Sequence, residues 1–386
     1  MDICVLNPFF YPYSGGTERV LFEVYSRLAK RHNITVISAA LKDSKRGSVD
    51  EINGIKVVRL KTRHIDFPAL PMPFPLMMGL DEAVKREYAD IYHINNRYIY
   101  FFPTINLIKR ISRKIALTLH DALPENIDML TDGGGYLYDF VWGRKIMQYA
   151  DVLTAVSKWT ADTTVPSKYK RRTRVIYNGV DTLRYAYRPK SERAVMLAAK
   201  RMGFGDGSAN ILNNGRLVTQ KGQVYLLRAV AELIKEGRDI NLAIIGRGYL
   251  KDTLEYMAKD LGIEERVRIV SGIAEESLPY YYNAADLFVS ASLYEPASLA
   301  VMEALASQVP VVATRVGGVP EMMEDCGVYA KERSISGIKR GIEKVIDGGA
   351  AARRRSARGR ELMKREHSWD VIAKSYEEAF MSTMRN

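Results

Sequence analysis

Residues Ile211-Leu212-Asn213-Asn214-Gly215-Arg216-Leu217-Val218-Thr219-Gln220-Lys221-Gly222 decide how this chain folds. The first four read as a strand and the rest as a glycine-bounded loop, beyond which Leu226, Leu227, Val230 and Leu233 recur at helical spacing. The same grammar opens the chain: a strand from Ile3 to Leu6, a loop with Ser14-Gly15-Gly16, then Val20, Val24 and Leu28 on a helix expected to run through Lys30. Further strands are predicted over 34–38, 57–60, 91–94, 115–119 and 152–156, and again over 241–245, 267–270, 287–290 and 309–313, with helical or polar segments between them. Such alternation argues for parallel sheets covered on both faces. The expected architecture is therefore α/β, with two doubly wound Rossmann-like domains. A charged, glycine-rich stretch, 188–208, separates them, which gives residues 1–188 and 189–366. The remaining 367–386 reads mainly as one helix, Trp369 to Met384, with Ile372, Ala373, Tyr376, Ala379 and Phe380 among its apolar positions.

The 386 residues leave room for two or three domains of about 150 residues each. A hydrophobic content of 47% and a charged content of 26% exclude disordered and low-complexity chains. Cys4 and Cys326 stand in no metal-ligand or redox spacing, so a disulfide framework or zinc ribbon is excluded and a reducing cytoplasm is expected. Met1-Asp2-Ile3-Cys4 lacks the basic start of a signal peptide, and the longest apolar run, Phe67 to Leu80, contains four prolines, so neither export nor a membrane span is expected. The net charge is +12, and residues 1–188 carry 28 basic and 19 acidic side chains (+9) against 29 and 26 (+3) in the remainder. The positive field thus belongs to the first half.

In doubly wound sheets, ligands bind beyond the carboxyl ends of the strands, where helix N-termini favour anions. Arg216 and Lys221 bring two cations and a flexible glycine backbone to such a place, which suits a diphosphate, although a lone pair of solvated cations at a helix start is the commoner meaning. After the strand that ends at Ser290 comes Glu295-Pro296-Ala297-Ser298-Leu299, with Glu303 eight positions beyond Glu295 on a helix expected to begin near Ser298. Two carboxylates there can accept hydrogen bonds from sugar or ribose hydroxyls, whereas Glu303 by itself reads as a surface or capping residue. His120 ends a strand beside Asp121, and His93 reads as structural.

The run from Glu295 to Ala306, followed by Pro310-Val311-Val312-Ala313-Thr314 and Gly317-Gly318-Val319-Pro320-Glu321, resembles the family 4 retaining glycosyltransferases of the GT-B fold. The likeness extends to Gly15-Gly16, His120-Asp121, Val156-Ser157, Asn178-Gly179-Val180-Asp181, Gly215-Arg216, Lys221-Gly222, Gly246 and Ser368-Trp369-Asp370, nearly the whole chain. It implies two Rossmann-like domains facing a central cleft, with the C-terminal helix crossing back to the N-terminal domain. It also implies a nucleoside diphosphate sugar as donor, UDP- or GDP-linked, whose hexosyl unit is transferred with retention. Arg216 and Lys221 would hold the diphosphate, Glu303 the ribose and Glu295 a donor-sugar hydroxyl; Gly15 and Gly16 would approach the phosphate and the transferred sugar; His120 would stand at the reacting centre. Gly246, Ala297, Ser298 and Leu299 complete the expected substrate-binding set. At Ala297-Ser298 the family usually carries a bulky apolar residue followed by glycine, a departure at the loop that meets the sugar. No Asp-x-Asp pair occurs, so no metal or other cofactor is expected, and Arg216, Lys221 and helix N-termini would stabilise the leaving diphosphate.

Two rival readings are a GT-B-like isomerase or phosphorylase and, from the charge and 23 tyrosines, a nucleic-acid-binding protein. The basic residues are scattered and no RNA or DNA motif appears, so nucleic acid is not an expected partner. The segment Phe67 to Met78 reads as an apolar, proline-rich loop beside Lys56, Arg59, Lys61, Arg63, Lys85 and Arg86. That combination fits either a loop packed on its own domain or peripheral attachment to an anionic inner membrane face, with a lipid-linked or other glycan as acceptor.

Overall fold

A computed structural model describes residues 1–13, 15–41, 47–65, 74–98, 101–111, 113–122 and 129–385. The chain divides into two compact units, one comprising Met1–Leu123, Gly133–Asn178 and Trp369–Asn386, the other largely Gly179–Ser368.

The first unit is built on an eight-stranded sheet of β1 (Asp2–Leu6), β2 (Asn33–Ala39), β3 (Ser48–Ile52), β4 (Ile55–Leu60), β7 (Ile91–Asn95), β8 (Lys114–Leu119), β9 (Val152–Ala155) and β10 (Thr173–Val175). A separate two-stranded ribbon pairs β5 (Thr62–Ile65) with β6 (Phe74–Met77). The order across the large sheet is β10-β9-β8-β7-β1-β2-β4-β3, parallel throughout except for the hairpin β3–β4. The chain therefore starts in the middle and reverses its direction of growth between β1 and β7. Helix α1 (Gly16–Leu28) buries Val20, Leu21, Val24 and Leu28. Helix α7 (Trp369–Met384) packs on α1, tied to it through Arg27 to Asp370 at 2.9 Å and to the turn after it through His32 to Glu377 at 2.7 Å.

In the second unit, six parallel strands, β11 (Ala209–Asn214), β12 (Ile240–Ile245), β13 (Val267–Val270), β14 (Leu287–Ser290), β15 (Val311–Thr314) and β16 (Val328–Ala330), lie in the order β13-β12-β11-β14-β15-β16. This is the 3-2-1-4-5-6 order of a dinucleotide-binding sheet, with its switch point between β11 and β14. Every residue of β12 is buried, as expected for a strand covered on both faces. Helix α2 (Gln223–Lys235) sets Leu226, Leu227, Val230 and Leu233 into one core cluster, each contributing roughly 1.5–3 kcal/mol of burial. Helices α3 (Leu278–Ala284), α4 (Leu299–Ala306), α5 (Ile335–Ile346) and α6 (Gly349–Glu366) add to the cover.

The expected strands of both halves form, while β3, β10 and β16 add edges that the sequence pattern does not announce. The helix after the first glycine loop ends at Leu28 rather than Lys30. The proline-rich segment needs correction as well. Its part over 67–73 lies outside the described residues, but Phe74–Met77 is a strand, not a loop. Pro75 is tolerated there because the ribbon has only one partner strand and leaves an edge that needs no donor. Among the described residues no helix is long and apolar enough to cross a membrane.

Candidate active site

The switch point of the second unit gathers the loops after β11 and β14. Gly215 N–H donates to Ile245 O at 3.0 Å and Leu217 N–H to Arg247 O at 2.8 Å, so the loop after β11 is held along the end of β12. Gly246 makes this approach possible, since a Cβ there would sit 2.0 Å from Gly215 O. At Gly222, with φ +62°, a Cβ would meet Ala291 O at 2.1 Å, so the same loop also lies directly against the end of β14. Leu293 N–H donates to Gln220 O at 2.8 Å and the Gln220 amide to Tyr294 O at 3.1 Å.

On this frame the Lys221 ammonium is ion-paired with Glu295 Oε2, which also accepts from Ser292 Oγ at 3.3 Å. Glu295 is buried and Lys221 half-buried, while Arg216, five residues earlier, is exposed with its backbone carbonyl held by Gln223 Nε2 at 2.8 Å. The Glu295 loop is braced from the other side: Gly318 N–H donates to Glu295 O at 3.0 Å, and Gly317, with φ +55°, leaves room for that carbonyl. Ser298 caps α4 by accepting Val301 N–H at 3.4 Å; Ala297 and Leu299 flank it half-buried. One turn into α4, Glu303 is buried and accepts from Tyr282 OH at 2.7 Å, which in turn accepts from Asn214 Nδ2 at 2.9 Å. Burial, and then the Glu303 carboxylate itself, push the Tyr282 hydroxyl well above its ordinary range, so it remains a donor. Glu295 and Glu303 thus both belong to the switch point, but Glu303 is fixed at its inner end by a relay reaching the last residue of β11.

The switch point of the first unit lies between β1 and β7. Gly15 caps α1, and a Cβ there would lie 2.1 Å from Oε2 of Glu18; Gly16, exposed, is the first helical residue. Burial raises the Glu18 carboxyl, opposed by hydrogen bonds from its own backbone N–H and from Asn7. His120, buried just beyond β8, donates its backbone N–H to Asn96 Oδ1 at 2.9 Å and bonds through Nε2 to Asn95 Oδ1 at 3.1 Å. The acceptor character of Oδ1 puts the ring proton on Nε2 and leaves Nδ1 an acceptor. Burial lowers His120 to about 4, so the ring is neutral at physiological pH. Asp121 is exposed, and the His120 ring bonds the Asn95 amide. His93, lowered to about 3 by burial and by His120, bonds Tyr25 OH and, at 2.6 Å, Thr118 Oγ1. Both of its ring nitrogens are engaged inside the core.

Sequence reasoning missed Asn95, Asn96, Glu18, Tyr282 and Ser292. A signal for the first two exists: amides at the end of an apolar strand, with Asn95 in register with Thr118, two residues from His120. Asn96 holds φ +61°, a left-handed backbone that asparagine adopts more readily than most residues.

Two doubly wound domains, one with a Lys–Glu pair and a buried second glutamate at its switch point, define a GT-B architecture of the glycosyltransferase kind. Comparison with known proteins agrees: residues 14–184 match the model described as Glycosyltransferase Family 4 and residues 199–362 that described as Glycosyl transferases group 1. The chain belongs to the group 1, family 4 glycosyltransferases. It is 40% identical over 193 residues to the GDP-mannose-dependent alpha-(1-6)-phosphatidylinositol monomannoside mannosyltransferase of Mycolicibacterium smegmatis, covering 47% of this chain and 49% of that protein. It is 30% identical over 205 residues to a glycosyltransferase of Methanocaldococcus jannaschii, covering 53% and 52%. The chain thus spans about half the length of these curated relatives. Among solved structures, Anabaena HepE in complex with UDP superposes with a TM-score of 0.78 at 20% identity, covering 99% of this chain and all of that one. The sucrose-phosphate synthase of Thermosynechococcus elongatus gives 0.76 at 19%, covering 98% of each.

Proposed function

We propose that this protein is a retaining hexosyltransferase that takes its sugar from a nucleoside diphosphate sugar and passes it to a lipid-linked or other glycan acceptor. The observation that carries this reading is the Lys221–Glu295 ion pair at the β11/β14 switch point. A nucleotide sugar joins its distal phosphate directly to the anomeric carbon, so one site must offer a cation for the phosphate and, within a few ångströms, an acceptor for sugar hydroxyls. Lys221 and Arg216 take the diphosphate, Glu295 accepts from a sugar hydroxyl, and Glu303, oriented by Tyr282, accepts from the ribose. Gly246 and the Ala297-Ser298-Leu299 turn shape the walls, and the capped start of α4 adds backbone N–H groups.

In the first domain, the family resemblance assigns Gly15 and Gly16 to the phosphate and the sugar and His120, neutral and oriented by Asn95, to the reacting centre. Transfer proceeds through an oxocarbenium-like transition state, and the leaving phosphate takes the acceptor proton on the same face. Charge building on that phosphate is met by Arg216 and Lys221 rather than by a divalent metal. The mannosyltransferase relative uses GDP-mannose and the structural neighbour HepE holds UDP, so both donor types belong in the first assay. The enzyme works in the cytoplasm, peripherally on the inner membrane face. A panel of UDP- and GDP-sugars scored for thermal stabilisation and slow donor hydrolysis tests the reading. One donor that raises the melting temperature and is hydrolysed supports it. Stabilisation by none removes it, and formation of a sugar phosphate from inorganic phosphate removes it in favour of a phosphorylase.

A further inference from the structure

The outer edge of the second unit carries a feature that the transferase reading does not use. A groove of about 920 Å³ opens beside edge strand β16, between α5 and α6. Seven of its lining side chains are cationic and only two, Glu324 and Asp325, are acidic. Asp325 is taken by Arg358 at 2.8 Å. Lys331, Arg340, Lys344, Arg354 and Arg355 make no ion pair among the described residues; Arg355 is half-buried and the other four are exposed.

These charges arrive from separate elements. Arg340 and Lys344 stand one turn apart on α5, and Arg354 and Arg358 one turn apart on α6. Like charges at that spacing repel; Asp325 already meets Arg358, but Arg340 and Lys344 have no such partner, and a bound anion would relieve their repulsion. Lys331 follows β16, and Arg315 lies over the Tyr329 ring at 4.9 Å at the same edge.

We infer that this groove is a second anion site, distinct from the donor site at the β11/β14 switch point, and that it takes a compact, multiply phosphorylated small molecule. Five uncompensated cations call for at least two phosphate groups, and arginine forks match phosphate oxygens bidentately. The volume falls in the range of about 300–1,000 Å³ usual for small-molecule sites. The cations converge from two helices and a strand end on one concavity, a shape that suits a small molecule better than a flat bilayer.

The test uses the full-length protein with inorganic pyrophosphate as probe. Acetylation of each lysine by limiting acetic anhydride is followed by peptide mass spectrometry, with and without pyrophosphate at constant ionic strength. Lys331 and Lys344 should be labelled at least threefold more slowly with pyrophosphate present, while exposed Lys30, in the other unit, keeps its rate. In the R340E/R354E variant the protection should need at least tenfold more pyrophosphate, and in the milder R340Q/R354Q variant an intermediate amount. An R216A variant, altered only at the donor site, should protect Lys331 and Lys344 like wild type. Unchanged labelling, equal slowing by chloride at the same ionic strength, or protection by phosphatidylglycerol vesicles but not by pyrophosphate would each overturn the proposal.

Discussion

Lys221 and Glu295, 74 residues apart in sequence, meet as an ion pair because β11 and β14 are neighbours at the one place where the second sheet reverses its growth. The contact belongs to the topology. Gly222 lets the first loop touch Ala291, and Gly317 lets the third loop reach the Glu295 backbone. Loops from three strands therefore fix a carboxylate that is buried yet next to a cation.

Removing the two partners of this region should have unequal consequences for stability. Lys221→Ala leaves the buried Glu295 carboxylate with the Ser292 hydroxyl as its side-chain donor and should cost about 3 kcal/mol, whereas Arg216→Ala, at an exposed site, should stay within about 0.5 kcal/mol. Urea unfolding of both variants checks this. A Lys221→Ala protein as stable as wild type would mean the pair is not formed.

Both substitutions should weaken transfer, each removing a charge-assisted phosphate contact of about 1.5–3 kcal/mol. Transfer should persist in EDTA. Activity that disappears with chelator and returns with magnesium or manganese would contradict the metal-free mechanism.

Glu295→Ala and Glu303→Ala should fail differently. If Glu295 meets the sugar and Glu303 the ribose, the first lowers kcat while nucleoside diphosphate still binds, and the second weakens nucleotide binding. Calorimetry with the nucleoside diphosphate separates them, and equal affinity in wild type and Glu303→Ala removes the ribose assignment. Tyr282→Phe, which cuts the relay to Asn214, should move in the direction of Glu303→Ala by a smaller amount.

Much of this was legible before the fold was known. Strands such as β12 and β15 are largely apolar runs whose burial is decided locally, and glycines mark the loops after them. Strand β3 is not legible, because four of its five residues are exposed and it exists through its pairing with β4. Nor is the Asn95–His120 contact, which depends on the register of β7 against β8. The histidine was visible and its orienting amide was not. The Glu295–Glu303 spacing was visible too, but not that Glu303 sits at the inner end of a Tyr282 relay.

Acid should destabilise the first unit in a defined window. His93 and His120 ionise at about 3 and 4 in the fold, against about 6.5 for an unperturbed histidine, so between those values the unfolded chain binds more protons. Their stabilising contribution is full above pH 6.5 and is lost as pH falls toward 4, reaching a loss of roughly 2 kcal/mol per histidine by pH 5. Glu18, raised by burial, works in the opposite sense, since its protonated form is favoured by the fold and stability from it declines as pH rises. Melting curves from pH 7.5 to 4.5 should fall steeply for wild type and less for His93→Gln. A flat wild-type profile would show that the histidines are not buried neutral.

The ribbon β5–β6 gives the membrane hypothesis a physical form. Met77 packs against the first-unit core, while Leu76 and Met78 are 41% and 58% exposed. Lys61 and Arg63 are exposed on the facing side of the ribbon, with Arg63 in register with Leu76. Two apolar side chains beside two cations are what a peripheral protein presents to an anionic bilayer, each cation near the surface contributing about 1 kcal/mol. Sedimentation with vesicles should therefore require phosphatidylglycerol and weaken as salt is raised. Leu76→Ser with Met78→Ser should reduce binding while leaving the melting temperature within a few degrees, because neither side chain belongs to the core. Arg63→Ser should lower the dependence on anionic lipid. Equal partitioning onto neutral and anionic vesicles, or none onto either, would favour an acceptor delivered from solution.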